Sequence, residues 1–389
     1  MFPLQIKIWL EQFSLVDRDT AILLLKSLRP IEENNLKKGI KKELINIAKM
    51  YPNRKIALFP VLEITQENGL TENHRGRKRA GSSQLISYFL ECISRESPRV
   101  FSSRPTPRSM KSEKHAAIVY VDDFIGSGSR IIAFWQKGIS KTIKSWLSYK
   151  YCDIYFVSGV CYETGISKII HSIGNFQRDQ FKSAFQASTF APKNIDRFQE
   201  LCKVYAHKLV QKDIPFGYGN IFSNIVFSYK CPNNTPAILW GDGNGWKALF
   251  PNTSVNEDVF SFLVSYKNKR TVERILDTGQ RKLSSAILNN IDNLIDEDIN
   301  FLCLLSLVAR RVSQKNILIA LNCTREYLSR LIKKAQKYKA IDDTNRITNF
   351  GKSLLAAYRK KVKKNNTCTH LDSTTPTSYI PTQYGGNMK

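Results

Sequence analysis

The spacing of apolar positions changes several times along the chain, and each change marks an element. Between residues 8 and 50, Trp9, Phe13, Ala21, Leu24 and Leu25 recur at helical spacing, and 37–50 repeats the pattern as a second amphipathic helix. Pro52 and Asn53 break it, and Ile56 to Ile64 is a short apolar run suited to a buried strand. Thr65 to Ser83 is polar and basic without periodicity, which predicts a functional loop or a disordered excursion. A helix resumes near Gln84, with Leu85, Tyr88, Phe89 and Cys92 on one face, and Arg95 to Lys114 reads as loop.

The middle of the chain alternates. Ala116 to Val121 is almost continuously apolar, as a strand buried on both faces is. Ile131 to Leu147 reads as helix, Ile154 to Tyr162 as strand and Gly165 to Ile173 as helix, an order that predicts an α/β domain on a parallel sheet. A helix at Ile195–Gln211 follows, then candidate strands at Asn224–Tyr229 and Ala237–Trp240, with glycines 217, 219, 241, 243 and 245 marking turns. Beyond about residue 258 helical patterns take over. Residues 298–310 form an apolar helix, and Ser313–Leu321 and Thr324–Lys337 are short helices flanking a turn at Asn322–Cys323. Asp342 to Asn345 is a hairpin-like turn, and after Lys364 an Asn, Thr, Ser and Pro-rich tail reads as disordered.

Composition bounds the class. A chain of 389 residues, 42% apolar, predicts at least two cored domains. The longest apolar runs, such as Phe301 to Ala309, are about half of what a bilayer crossing needs, and the first residues lack a signal-peptide core. A cytoplasmic protein without a membrane partner is expected. Eight cysteines are scattered without a Cys-x-x-Cys pair, and Cys368 and His370 are too few for a zinc site, so reduced thiols are expected. Charge changes the picture more. The net charge is +26, and Ala309–Asn365 alone carries 16 Lys and Arg against 3 Asp and Glu. Half of the excess lies in that one segment, which points to a nucleic-acid partner.

The candidate chemistry sits at Val121 to Arg130, sequence VDDFIGSGSR. In an open α/β sheet, ligands bind where strands end and helices begin. Gly126 and Gly128 let backbone amides approach an anion, and a helix starting near Ser129 aims its amides at a phosphate. Ser127 and Ser129 add hydroxyl donors, and Arg130 adds a charge-assisted contact. Asp122 and Asp123 suit vicinal ribose hydroxyls or a Mg²⁺ ion. Apolar strand, two acids, two apolar residues and a Ser/Gly loop together resemble the signature of type I phosphoribosyltransferases. The resemblance implies that Asp122 and Asp123 face the ribose and hold Mg²⁺, while Gly126, Ser127, Gly128, Ser129 and Arg130 take the 5′-phosphate. Two departures stand out. Gly126 occupies the place where purine-salvage members carry a general-base Asp, and Arg130 replaces the Thr or Ser that closes the phosphate loop.

The family also holds a diphosphate on a second loop, for which His74, Arg75, Arg77, Lys78, Arg79, Ser82 and Ser83 are available. With Trp9, Asp17 and the late segment Pro236 to Pro251, the layout resembles the divergent phosphoribosyltransferase-like effectors of bacterial conflict systems, which occur beside a winged helix in anti-phage retrons. Trp240 and Trp246 are candidates for stacking on a base or for core packing.

Residues 297–362 resemble a winged helix-turn-helix, with Thr324–Tyr338 as the recognition helix. Leu328, Leu331, Ile332 and Ala335 supply its inward face, while Arg325, Ser329, Arg330, Lys333, Lys334 and Lys337, with Arg346 on the wing, are left for nucleic acid. A pure protein-interaction module is the alternative for such a fold. The expected organisation is a phosphoribosyltransferase-like domain at 1–257, a helical linker at 258–296, a mainly α winged helix at 297–362 and a tail at 363–389. The resemblance implies a defence effector that acts at a ribose phosphate, nucleotide or phosphoribosyl diphosphate. Its implied controllers are a reverse transcriptase and that enzyme's single-copy DNA with its RNA. The rival expectation is a catalytically inactive, nucleotide-sensing DNA-binding regulator.

Overall fold

The computed structural model describes residues 2–62, 82–243, 245–277, 283, 296–321, 323 and 325–365. The chain divides into two units, Met1–Leu263 and Val264–Lys389.

The first unit is built on a five-stranded, wholly parallel sheet. Its strands are β2 (Ile56–Pro60), β3 (Phe101–Ser103), β4 (Ala117–Ile125), β5 (Asp153–Cys161) and β6 (Phe181–Phe185), in the order β3-β2-β4-β5-β6. Two short strands, β1 (Arg29–Ile31) and β7 (Ile225–Phe227), form a separate parallel pair. Helices α1 (Leu4–Leu10), α2 (Leu15–Lys26) and α3 (Glu33–Ala48) precede β2, and α4 (Ser82–Glu96) and α5 (Pro107–Ser112) flank β3. Parallel strands need crossovers, and here α6 (Ser129–Ala133) and α7 (Lys141–Ser148) carry the chain from β4 to β5. Helix α8 (Glu163–Ile173) carries it from β5 to β6, and α9 (Pro192–Ala206) and α10 (Ala237–Trp240) follow.

The strand order reverses between β2 and β4: β3 was added on one side and β5 and β6 on the other. A crevice opens at such a switch point because the loops leaving the two neighbouring strands turn to opposite faces. Strand β4 also overshoots its neighbour. Pro60 of β2 pairs with Val121, whereas β4 continues to Ile125 against Cys161 of β5.

Among the described residues, two apolar clusters stand out in this unit, beside buried side chains of α3 and α4 such as Leu36, Ile40 and Leu90. One joins the sheet to α6 and α8 through Phe134, Trp135, Phe156, Ile166, Ile169 and Phe176. The other packs α1 and α2 on α9 and α10 through Trp9, Phe13, Phe198, Tyr205 and Leu239. Ser14 caps α2 by accepting from the Asp17 amide, and Ser140 caps α7 by accepting from the Ile143 amide.

Several local expectations are corrected. Residues 8–50 are not helical throughout, since β1 interrupts them where Arg29–Ile31 pairs with β7. The segment 95–114 holds β3 and α5, and β6 was not foreseen. Strands of three to five residues, such as β1, β3 and β6, give too short an alternation to register as a period. The helix expected over 131–147 is broken, with a π-helical turn at Phe134–Gly138 before Ser140 restarts it. Ala237–Trp240 is a helical turn rather than a strand.

In the second unit, α11 (Glu257–Asp277) runs in from the first, and α12 (Asp296–Ala309), α13 (Gln314–Leu321), α14 (Arg325–Lys337) and α15 (Asn349–Asn365) follow. Leu302, Leu304, Leu305, Ile317, Leu328, Leu331, Ala335 and Leu355 share its core. Ile341 and Ile347 meet in an antiparallel bridge that closes the wing turn. No helix among the described residues is long and apolar enough to cross a membrane. The tail after Asn365, with Cys368 and His370, lies outside the described residues.

Candidate functional site

Asp122 and Asp123 lie within β4 rather than in the loop after it, on the stretch that overshoots β2 at the switch point. Both are buried, at 1% and 3% exposure. Buried carboxylates need partners, and three are present. The Asp123 amide donates to Asp122 Oδ1 at 2.8 Å, and Arg130 Nη2 donates to the same oxygen. Arg130 Nη2 also lies 3.9 Å from Asp123 Oδ1, and the Tyr229 hydroxyl donates to Asp123 Oδ2 at 3.2 Å. Among the described residues, Asp122 Oδ2 is buried without a hydrogen-bond partner. Burial raises the Asp122 carboxyl well above the ordinary carboxylate range; the Arg130 guanidinium opposes the shift and Asp123 adds to it. Tyr229, stacked on Phe227 at 5.5 Å, has its hydroxyl pushed upward first by burial and then by Asp123.

Arg130 therefore faces the acids, whereas the sequence groups it with the phosphate loop. It starts in the first turn of α6, and its guanidinium returns across the crevice to within 3.5 Å of the Val61 carbonyl at the end of β2.

The loop Gly126 to Gly128 turns the chain from β4 into α6. Gly128 has φ +78°, a left-handed conformation open to glycine at little cost. Among the described residues, no backbone acceptor takes the amides of Gly126, Ser127, Gly128 or Ser129. Ser127 Oγ lies 3.3 Å from Ser129 Oγ, and Lys168 Nζ of α8 reaches Ser129 Oγ at 3.2 Å. Open amides, two hydroxyls and an ammonium in one place suit an oxyanion. The opposite side of the loop is packed. A Cβ on Gly126 would lie 2.6 Å from Asn234 Nδ2, and one on Gly219 would lie 2.5 Å from Ser127 Cβ. Asn234 in turn donates to the Tyr218 carbonyl at 2.7 Å, fastening the Gly217–Asn220 turn beside the loop.

Tyr229, Lys168 and Asn234 were missed in the sequence. Lys168 comes from α8, and Tyr229 and Asn234 come from one stretch just after β7; none carries a local motif. Arg75, Arg77, Lys78 and Arg79, with His74, lie outside the described residues, as does the side chain of Ser82. Ser83 is half-buried near the start of α4. Of the two roles open to Trp240 and Trp246, core packing is what the structure describes. They are 8% and 7% exposed, and their indoles donate to the Thr235 carbonyl at 3.0 Å and the Ile238 carbonyl at 3.2 Å. Both indoles lie in the apolar cluster of α1, α2, α9 and α10.

A family model described as PRTase-CE matches residues 6–252, spanning the sheet, the acidic pair and the loop. The chain belongs to the PRTase-CE family. A second model, described as wHTH-PRTase associated, matches residues 302–386. No curated protein and no solved structure matches the chain. The PRTase-CE chain is thus a phosphoribosyltransferase-like α/β domain followed by a mainly helical, winged-helix-associated domain.

The Mg²⁺ that the resemblance implies does not fit this acidic pair as it stands. Mg²⁺ asks for octahedral oxygen donors and keeps several waters. Here the carboxylates are covered and bridged by a guanidinium, and among the described residues no three His, Cys, Asp or Glu side chains are grouped to hold a metal.

In the second unit, α14 presents Arg325, Ser329, Arg330, Lys333 and Lys337 to solvent, and Arg346 is exposed on the wing. Lys334 is half-buried, its Nζ 6.0 Å from the Phe301 ring centroid, and Arg330 lies 5.9 Å from that of Tyr327. Asp342 braces the wing by accepting from the Arg346 amide at 2.8 Å and from Thr344 Oγ1 at 2.7 Å. These hydrogen bonds hold its carboxyl below the usual range, the one from Arg346 most strongly.

Proposed function

We propose that this PRTase-CE chain is an anti-phage effector acting at C1′ of a ribose phosphate, with a winged helix that binds DNA. The observation that carries this reading is the meeting of Asp122 and Asp123 with the Gly126–Ser129 loop at the switch point of a parallel sheet. The open loop amides, Ser127, Ser129 and Lys168 would hold the 5′-phosphate. Asp123 would exchange the Tyr229 hydroxyl for a ribose hydroxyl, a donor of the same kind.

With the sugar so held, the bond from C1′ to its leaving group breaks and its electron pair departs with that group, diphosphate or a base. The carboxylates stabilise the positive charge that develops on the sugar, and a base or water then adds at C1′ and loses its proton to solvent or to the departed group. The cation stripe of α14 supports nucleic-acid binding by the second domain. Control by a retron reverse transcriptase and its DNA belongs to the same proposal and rests on the family resemblance.

The test is nucleotide profiling of cells expressing the chain or its Asp122→Asn/Asp123→Asn variant, with and without phage. Depletion of a nucleotide or of phosphoribosyl diphosphate only with intact acids is the expected result. Unchanged pools with a folded protein favour a second reading, a nucleotide-sensing DNA-binding regulator. Two observations favour that reading. Gly126 stands where a general base would be and is packed on Asn234, and both acids are covered.

A further inference from the structure

The guanidinium of Arg130 spans the crevice. It donates to Asp122 Oδ1, lies 3.9 Å from Asp123 Oδ1 and approaches the Val61 carbonyl at 3.5 Å, so one side chain ties both acids of β4 to the end of β2. Resting on the ribose-phosphate reading of the site, we propose that Arg130 is the resident counter-cation of Asp122 and Asp123. It replaces a divalent ion there, so that the sugar phosphate binds without a metal on these carboxylates.

The chemistry of the two cations separates them. A guanidinium is always protonated, weakly hydrated and planar, and it enters a covered carboxylate site with little loss of solvation. Mg²⁺ gives up its water reluctantly and would have to be lodged beside side chains only 2% and 5% exposed. The oxygen at the centre of the site, Asp122 Oδ1, already accepts from Arg130 and from the Asp123 amide. The position of least resistance is the Tyr229 contact, a 3.2 Å hydrogen bond from an uncharged hydroxyl on a half-buried ring. A ligand hydroxyl thus enters by displacing Tyr229, with Arg130 left in place to supply the positive charge. Arg130 is a positioning residue in this scheme, acting on the sugar through the two acids.

The experiment uses the full chain. Mn²⁺ is titrated by electron paramagnetic resonance into the ligand-free wild type, Arg130→Met and Asp123→Asn. Ribose 5-phosphate binding is measured by calorimetry in EDTA and in Mg²⁺. The wild type is expected to hold no Mn²⁺ at the acids, Arg130→Met to gain a Mn²⁺ site, and the two ribose 5-phosphate affinities to agree within about twofold. Mn²⁺ bound by the wild type and lost in a folded Asp123→Asn variant overturns the proposal, as does a loss of affinity of about tenfold in EDTA. If Arg130→Met does not fold, the wild-type titration decides alone. Ribose 5-phosphate binding in neither buffer defeats the ribose-phosphate reading of the site, while the Mn²⁺ arm still judges Arg130.

Discussion

A Cβ on Gly165 would lie 2.0 Å from the Gly126 carbonyl oxygen, and one on Gly128 would lie 2.6 Å from the Gly165 carbonyl oxygen. The loop after β4 and the first turn of α8 therefore touch backbone to backbone, and the glycines that look like a phosphate cradle also serve this contact. Gly165→Ala should cost about 1–3 kcal/mol in urea denaturation, because backbone atoms must move apart to admit the methyl group. It should also weaken ribose 5-phosphate binding by shifting the loop.

Asp122 makes a second residue-scale prediction. Its carboxyl is raised by burial, so between the ordinary carboxylate range and the raised value the folded chain keeps a proton that the unfolded chain has released, and above that window Arg130 faces two carboxylates. Stability should then fall as pH rises from the ordinary carboxylate range toward the raised value, and Asp122→Asn should flatten that slope in melts followed against pH. Trp246 makes a third. As a core residue it should tolerate Trp246→Phe with ligand binding unchanged, while Trp246→Ala costs about 3–5 kcal/mol.

At the scale of elements, the recognition helix separates its cations by what lies beneath them. Leu328, Leu331 and Ala335 face the core, which leaves Arg325, Ser329, Lys333 and Lys337 as a solvent stripe at four-residue spacing. Lys333→Ala and Lys337→Ala should each reduce the salt dependence of DNA affinity by about one counterion, read by fluorescence anisotropy across a salt series. Lys334→Ala should instead act mainly on stability, since its ammonium rests over Phe301. Helical periodicity made this stripe legible before any coordinates. The break at Phe134–Gly138 was not legible, because apolar spacing continues through a π-helical turn that only hydrogen bonding reveals.

At the scale of the whole molecule, each unit has apolar clusters of its own among the described residues. Calorimetry of the full chain should resolve two transitions. Leu304→Ala, at a position with no exposure, should lower only that of the winged-helix unit, by about 2–5 kcal/mol.

The sequence by itself determined the alternating α/β order, the helical C-terminal unit, its basic face and the place of the acidic pair. Each of these is written in local period, charge or adjacency, which neighbouring residues carry together. Tertiary structure alone decided that the acids sit on a strand overshooting its neighbour and that Arg130 turns back to neutralise them. It also decided that Tyr229 meets Asp123, that Lys168 meets Ser129 and that Trp240 and Trp246 pack in an apolar cluster. Those outcomes depend on strand order and on segments tens of residues apart meeting at one crevice, and no local pattern records which distant side chain will arrive there.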